Sequence, residues 1–204
     1  MDYVLSFHEI DLTNLFQTDE KRDDASISDS GCIAKNIQKE MRITMGLCKA
    51  EETEKQLIME MYTAAMGRKG CTWNDSYPNR EILEGDFHRG DLFVWKNAEN
   101  EVVGAISIDD DKVVEALPCW SDTLQPSAEL ARLVVREDSQ NQGIARKMIL
   151  SVMEILRQRS CKSVHYLVSG KNERAVRSYA QLYFQKKGEA DLFDEHWLCY
   201  EKAL

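Results

Sequence analysis

The chain has 204 residues, 43% of them hydrophobic and 30% charged, enough to bury the core of one domain plus an extension. Its formal net charge of -9 argues against a nucleic-acid footprint, which would need a basic stripe. No run of eighteen apolar residues spans a membrane, and the start Met1 to His8 lacks a signal peptide's basic end and long apolar stretch, so a soluble, cytoplasmic protein is expected.

Six cysteines (Cys32, Cys48, Cys71, Cys119, Cys161, Cys199) form no CxxC pair, and no His cluster has ligand spacing. Reduced thiols and no metal site are the expectation. The acidic balance suits a cationic acceptor such as an amine, although solubility accounts for the same charge.

Residues 1–40 differ in texture from the rest. Their centre, Asp19 to Ser30, is acidic and Ser-rich and offers little to bury, so they read as an extension to a domain over 41–204. A first strand is expected over Arg42 to Lys49. Glu51 to Arg68 then reads as a helix, with Leu57, Ile58, Met61, Tyr62 and Ala65 at helical spacing and Gly70 beyond its end. A loop holding Trp73, Asp75 and Tyr77 leads to a short helix, Arg80 to Phe87. The runs Asp91 to Trp95 and Glu101 to Ile108, joined by an Asn97 to Asn100 turn, read as a hairpin.

A polar excursion containing Trp120 and Pro126 precedes the fourth strand, Glu129 to Val135. Beyond the loop Arg136 to Gln142, the segment Gly143 to Arg159 is a predicted helix with Ile144, Met148, Val152 and Ile155 along one face. Val164 to Val168 is a strand, Asn172 to Tyr183 a helix and Trp197 to Lys202 a closing strand. The order β-α-α-β-β-β-α-β-α-β predicts an α/β (α+β) domain whose mixed sheet carries helices on its faces.

The most informative stretch is the strand end, polar turn and glycine-led helix from Val135 to Ala145. Backbone N–H groups at a helix start have no intrahelical partners, and the macrodipole adds partial positive charge, so a pyrophosphate is a natural guest. Gly143 lets the backbone approach it, and Ala145 keeps the next turn slim.

Gln140-Asn141-Gln142-Gly143-Ile144-Ala145 resembles the Q/R-x-x-G-x-G/A signature of the GNAT superfamily of acetyl-CoA-dependent N-acetyltransferases. Asn172 to Tyr179 is similar to its second landmark, N-x-x-A-x-x-x-Y. The tail, Gly188 to Phe193 and Tyr200 to Lys202, looks like the C-terminal strands of bacterial members. The resemblance covers roughly 41–204. It departs from the pattern at Glu137, where many members have proline, at Ala145 in place of the second glycine, and at Tyr183-Phe184, where Gly-Phe is usual.

The resemblance implies a mostly antiparallel sheet splayed between strands 4 and 5, with acetyl-CoA as co-substrate and an amine on a small molecule, amino acid or peptide as acceptor. A homodimer is open to such a chain. It further implies that the backbone of Leu133, Val134 and Val135 lies along the pantetheine arm, that an N–H near Val134 polarises the thioester carbonyl, and that Asn172 meets the cofactor or caps its helix. Tyr179 would protonate the leaving thiolate, or be core.

Glu129 is the candidate general base, with His165 and His196 as alternatives. Trp73, Asp75 and Tyr77 are candidates for receiving a cationic amine, or a lid on the core. Lys171, Arg174 and Arg177 either meet the cofactor's phosphates or are solvated. The other class of function open to such a fold is a non-catalytic acyl-CoA-binding or protein-interaction module using the acidic extension.

Overall fold

In the computed structural model, which describes residues 46–204, the apolar runs pair into one seven-stranded sheet ordered β1-β2-β3-β4-β5-β7-β6. The strands are β1 (Gly46–Lys49), β2 (Leu92–Lys96), β3 (Val102–Asp109), β4 (Ser127–Val135), β5 (Ser163–Ser169), β6 (Gln185–Leu192) and β7 (Glu195–Ala203). Only β4 and β5 run parallel, so the expected mixed, mostly antiparallel sheet is present. The acidic segment 1–40 and residues 42–45 of the first predicted strand lie outside the described residues.

The helices are α1 (Lys55–Ala65), α2 (Arg80–Arg89), the single turn α3 (Lys112–Glu115), α4 (Ile144–Gln158) and α5 (Glu173–Ala180). α4 buries Ile144, Met148, Ile149, Val152, Met153 and Leu156, residues three and four apart that form one stripe. They pack with Phe93, Val103, Ile106 and Tyr166 on one face of the sheet. On the other face Ile58, Met61, Tyr62 and Ala65 of α1, with Leu83 of α2, cover Leu92, Val94, Ala105 and Val134. β2 and β3 therefore have cover on both faces, which is why they read as unbroken apolar runs.

Four differences from the sequence reading have local causes. Leu57 sits at the edge of the α1 stripe and is 36% exposed. The last helix stops at Ala180, because Tyr183 takes φ +60°, the left-handed geometry that glycine adopts without strain and that ends helices. Residues 112–115 form a helical turn because Asp111 Oδ1 accepts from the N–H groups of Val113 and Val114. The polar run of β6 lies at the sheet edge, paired only with β7, so it carries no apolar alternation strong enough to read.

The site is positioned where β4 and β5 part. They pair only as Ser127↔Ser163, Ala128↔Val164 and Glu129↔His165, and beyond Glu129 the edge of β4 that faces β5 has no strand partner among the described residues. The parting coincides with a bulge. Ala105 pairs with Val134 and Ser107 with Ala131, so Arg132 and Leu133 together oppose Ile106, and Arg132 takes φ +51°. The splay expected between strands 4 and 5 is thus present.

Candidate active site in the splayed cleft

Between the parted strands lies a cleft of about 1690 Å³, walled by the β4 backbone from Leu130 to Val135 and by Tyr166 to Ser169 of β5. That exceeds the volume a single small ligand needs. At one end, β4 runs through a short turn into α4. The first intrahelical bond there is Lys147 N–H to Gly143 O, and the N–H groups of Asn141 to Arg146 have no partner among the described backbone bonds. Asn141 and Gly143 both have left-handed φ, +64° and +75°, which turns successive donors toward one concavity.

A Cβ built on Gly143 would meet nothing within 4 Å, so it would project into open space at a residue lining the cleft. These features fit a diphosphate held by main-chain donors. Side-chain bonds brace the turn: Gln140 Nε2 donates to Val135 O at 2.9 Å, and Arg174 of α5 donates to Gln140 Oε1 and Asn141 Oδ1 at 2.7 and 2.8 Å. Arg146, in the first turn of α4, and Arg174 make this end of the cleft basic, and Arg68, Lys69 and Arg177 line the cleft as well. Lys171 instead pairs with Glu195 at 3.3 Å.

Asn172 caps α5, accepting from Ala175 N–H at 3.0 Å, and also lines the cleft. Tyr179, two turns on, lines it as well and packs edge-on against Tyr166 with ring centroids 4.6 Å apart. Burial pushes its hydroxyl up to about 12, so it carries its proton throughout the working pH range.

The opposite end of the cleft is acidic. Glu129 is 6% exposed, and its Oε2 is buried without a partner. Burial, reinforced by the charge of Asp109 and only partly opposed by Arg132, raises its carboxyl to about 8. Trp73, Tyr77, Asp110 and Asp111 line the same end. Trp73 leans edge-on against the buried Tyr62, with centroids 5.2 Å apart. Gly70, at φ +84°, brings this loop against the start of α5: a Cβ there would come within 2.7 Å of Lys171 O and 2.8 Å of Asn172 Cα.

Arg132, which the sequence reading passed over, organises this end. It is 5% exposed; Nε and Nη2 donate to Asp86 at 2.7 Å each, and Nη1 donates to Asp109 at 2.6 Å and Tyr77 Oη at 3.2 Å. Asp86 also accepts from Ser107 Oγ at 2.6 Å and pairs with Arg89 at 2.5 Å. The bulge that turns Arg132 inward therefore ties α2, β3 and β4 into one frame around Glu129. Removing one member of a buried pair strands the other charge, so Arg132→Met is expected to cost about 3–5 kcal/mol, measurable by urea unfolding.

The other sequence candidates divide clearly. Leu133, Val134, Val135, Gln140, Asn141, Gly143, Ile144, Ala145, Asn172, Tyr179, Glu129, Trp73 and Tyr77 share the one cleft. Gln142 reaches back toward Asp138 O, 3.5 Å away, and the exposed Asp75 belongs to the Asn74–Tyr77 turn; neither lines the cleft. His196 is exposed and pairs with Asp191 and Glu189. His165 is wholly buried behind Glu129. Among the described residues no group of three metal-ligating side chains comes together and no helix is long and apolar enough to cross a membrane.

A main-chain turn that fits a diphosphate at one end of a strand-lined cleft, with a buried acid at the other, is the arrangement an acyl-CoA-dependent transferase would need. Residues 57–184 match the Acetyltransferase (GNAT) family, and the chain belongs to that family; acetyl-CoA is its acetyl donor. Similar solved structures include a ribosomal-protein-alanine N-acetyltransferase from Brucella melitensis, 20% identical, with 78% of this chain and 99% of that one covered and a TM-score of 0.60. A GNAT-family acetyltransferase from Streptococcus agalactiae is 19% identical, covering 78% and 94%, with a TM-score of 0.66. YncA from Salmonella typhimurium, solved with its cofactor acetyl-CoA, is 17% identical, covering 79% and 94%, with a TM-score of 0.60. No curated protein sequence matches the chain.

Proposed function

We propose that the chain moves an acetyl group from acetyl-CoA to a primary amine of a small molecule, amino acid or peptide, both substrates being bound together. The observation that carries this reading is Glu129: its carboxyl lines the cleft, is buried and has an oxygen without a partner, and the burial that raises it to about 8 suits it to take a proton from an ammonium near neutral pH. Bound acetyl-CoA supplies the acetyl group as a thioester whose thiolate leaves.

The remaining roles fall to the chain. Main-chain donors of the Gly143 turn hold the diphosphate, and the unpaired β4 edge around Leu133, Val134 and Val135 lies along the pantetheine, with an N–H near Val134 drawing charge onto the reacting oxygen. Glu129 removes the amine's proton and Tyr179 protonates the departing sulfur. Trp73 and Tyr77 receive the cation, aided by the acids beside them.

The described cysteines are all free, in keeping with a reducing compartment such as the cytoplasm. Thiol release from acetyl-CoA across a panel of amines tests the proposal. Saturable cofactor binding without any release would favour a binding module instead. Because a free thiol near 8.5 is already a tolerable leaving group, Tyr179→Phe is expected to lower kcat by only about tenfold, with acetyl-CoA affinity kept; an unchanged kcat removes Tyr179 from the chemistry.

A further inference from the structure

Four ionisable residues cross the sheet in a single row. Asp109 on β3, Glu129 on β4, His165 on β5 and Glu201 on β7 are successive partners, Asp109↔Glu129, Glu129↔His165 and His165↔Glu201. Residues directly opposite one another present their side chains on the same face. Glu129, His165 and Glu201 are 6%, 0% and 2% exposed, and burying such groups costs stability unless their polar atoms are satisfied.

Their satisfaction is uneven. Glu201 accepts from Ser121 N–H at 3.3 Å, Ser121 Oγ at 2.6 Å and Ser163 Oγ at 3.2 Å, with Lys187 Nζ at 3.6 Å. In contrast, Glu129 Oε2 and both ring nitrogens of His165 are buried without a partner. The imidazole is held in place by Trp120, stacked on it at 4.4 Å and 30°, whose Nε1 donates to Val114 O at 2.7 Å. The row also has two mouths: Glu129 lines the cleft, and Glu201 with Lys187 lines a separate hollow of about 320 Å³.

N-acetyl transfer, on which this inference rests, gives such a row a task. An ammonium acceptor becomes a neutral amide as the N–C bond forms and the C–S bond breaks. One nitrogen proton ends on the sulfur by way of Tyr179, and another is left on Glu129. That carboxyl must lose its proton before the next turnover.

We propose that His165 relays this proton from Glu129, through buried water, to Glu201 and out at the second hollow. A neutral imidazole carries one N–H and one lone pair, so it accepts at one nitrogen while releasing from the other. The unpartnered atoms of Glu129 and His165 are those that a bridging water, which needs two to four polar contacts, would join. Burial lowers the imidazole to about 4, against the opposing pull of Glu201 and Glu115, so at working pH it is neutral and keeps one nitrogen free to accept.

The test uses His165→Phe, which keeps a ring of similar size beneath Trp120, and Glu201→Gln. Wild-type turnover should be independent of buffer concentration. Both variants should turn over about tenfold slower, with KM for acetyl-CoA unchanged and the rate restored as imidazole buffer is added. Turnover equal to wild type, or a loss that imidazole does not restore, overturns the relay. A measurement free of any folding defect in those variants compares the His165 nitrogen NMR signals of the wild type with those of Glu129→Gln: the relay requires them to shift, and identical signals overturn it. Absence of thiol release from the wild type defeats the transfer reading, whereas absence of the nitrogen shift defeats the relay alone.

Discussion

Glu129→Gln is expected to lower kcat by about 10²- to 10³-fold while leaving acetyl-CoA affinity unchanged. The carboxyl lies away from the Gly143 turn, at the end of the cleft proposed to take the acceptor, and its replacement by an amide keeps the shape but removes the proposed base. The pH dependence follows from the same burial. A base works ionised, so wild-type activity should climb as pH rises through about 8, where burial and Asp109 hold this group, and that limb should vanish in the variant.

Stability should move the opposite way. The folded value of about 8 lies above the ordinary 4.5, so the contribution of the protonated carboxyl is fully present below about 4.5 and is lost as pH rises through about 8. Glu129→Gln should therefore melt higher than wild type at pH 9 and match it at pH 5. Equal Tm differences at both values would show that Glu129 is ionised at ordinary cost and is no tuned base.

Gly143→Ala is expected to weaken acetyl-CoA binding by about 10- to 100-fold, the loss of one or more hydrogen bonds to a charged group, while lowering stability by only about 1 kcal/mol for a methyl in the left-handed region. Its Cβ meets no protein atom within 4 Å, so the fold tolerates it and the cost falls on whatever approaches the turn. Gly67 provides the control. It has the same φ of +75° and equally open surroundings, so Gly67→Ala should show the same stability loss with binding intact. Calorimetric titration with coenzyme A separates the two.

The end of the cleft proposed to take the cofactor was legible in the sequence because its parts are consecutive. Strand end, polar turn, glycine and amphipathic helix all fall within Val135 to Leu156, and Asn172 caps the short helix that carries Tyr179. The acceptor end was not, because its parts are brought together by register. Arg132 looks like one polar residue in an apolar strand until a bulge turns it toward Asp86 and Asp109, 46 and 23 residues away.

Asp75 stood out as the acid nearest two aromatics in the chain, yet the carboxylates around Arg132 and Tyr77 in the cleft come from α2, the end of β3 and β4. His165 reads as a lone strand histidine, and only strand pairing sets it between Glu129 and Glu201. Tyr183 did carry a signal: it departs from the expected glycine, and the chain there takes the left-handed turn all the same.

The most direct measurement is mass spectrometry of the acceptor after incubating the protein with acetyl-CoA and a panel of primary amines, with thiol release followed in parallel. An N-acetylated amine formed in step with free thiol, and absent with Glu129→Gln, is the predicted result. Acetyl groups found only on oxygen or sulfur, or cofactor bound with no acceptor modified, would contradict it.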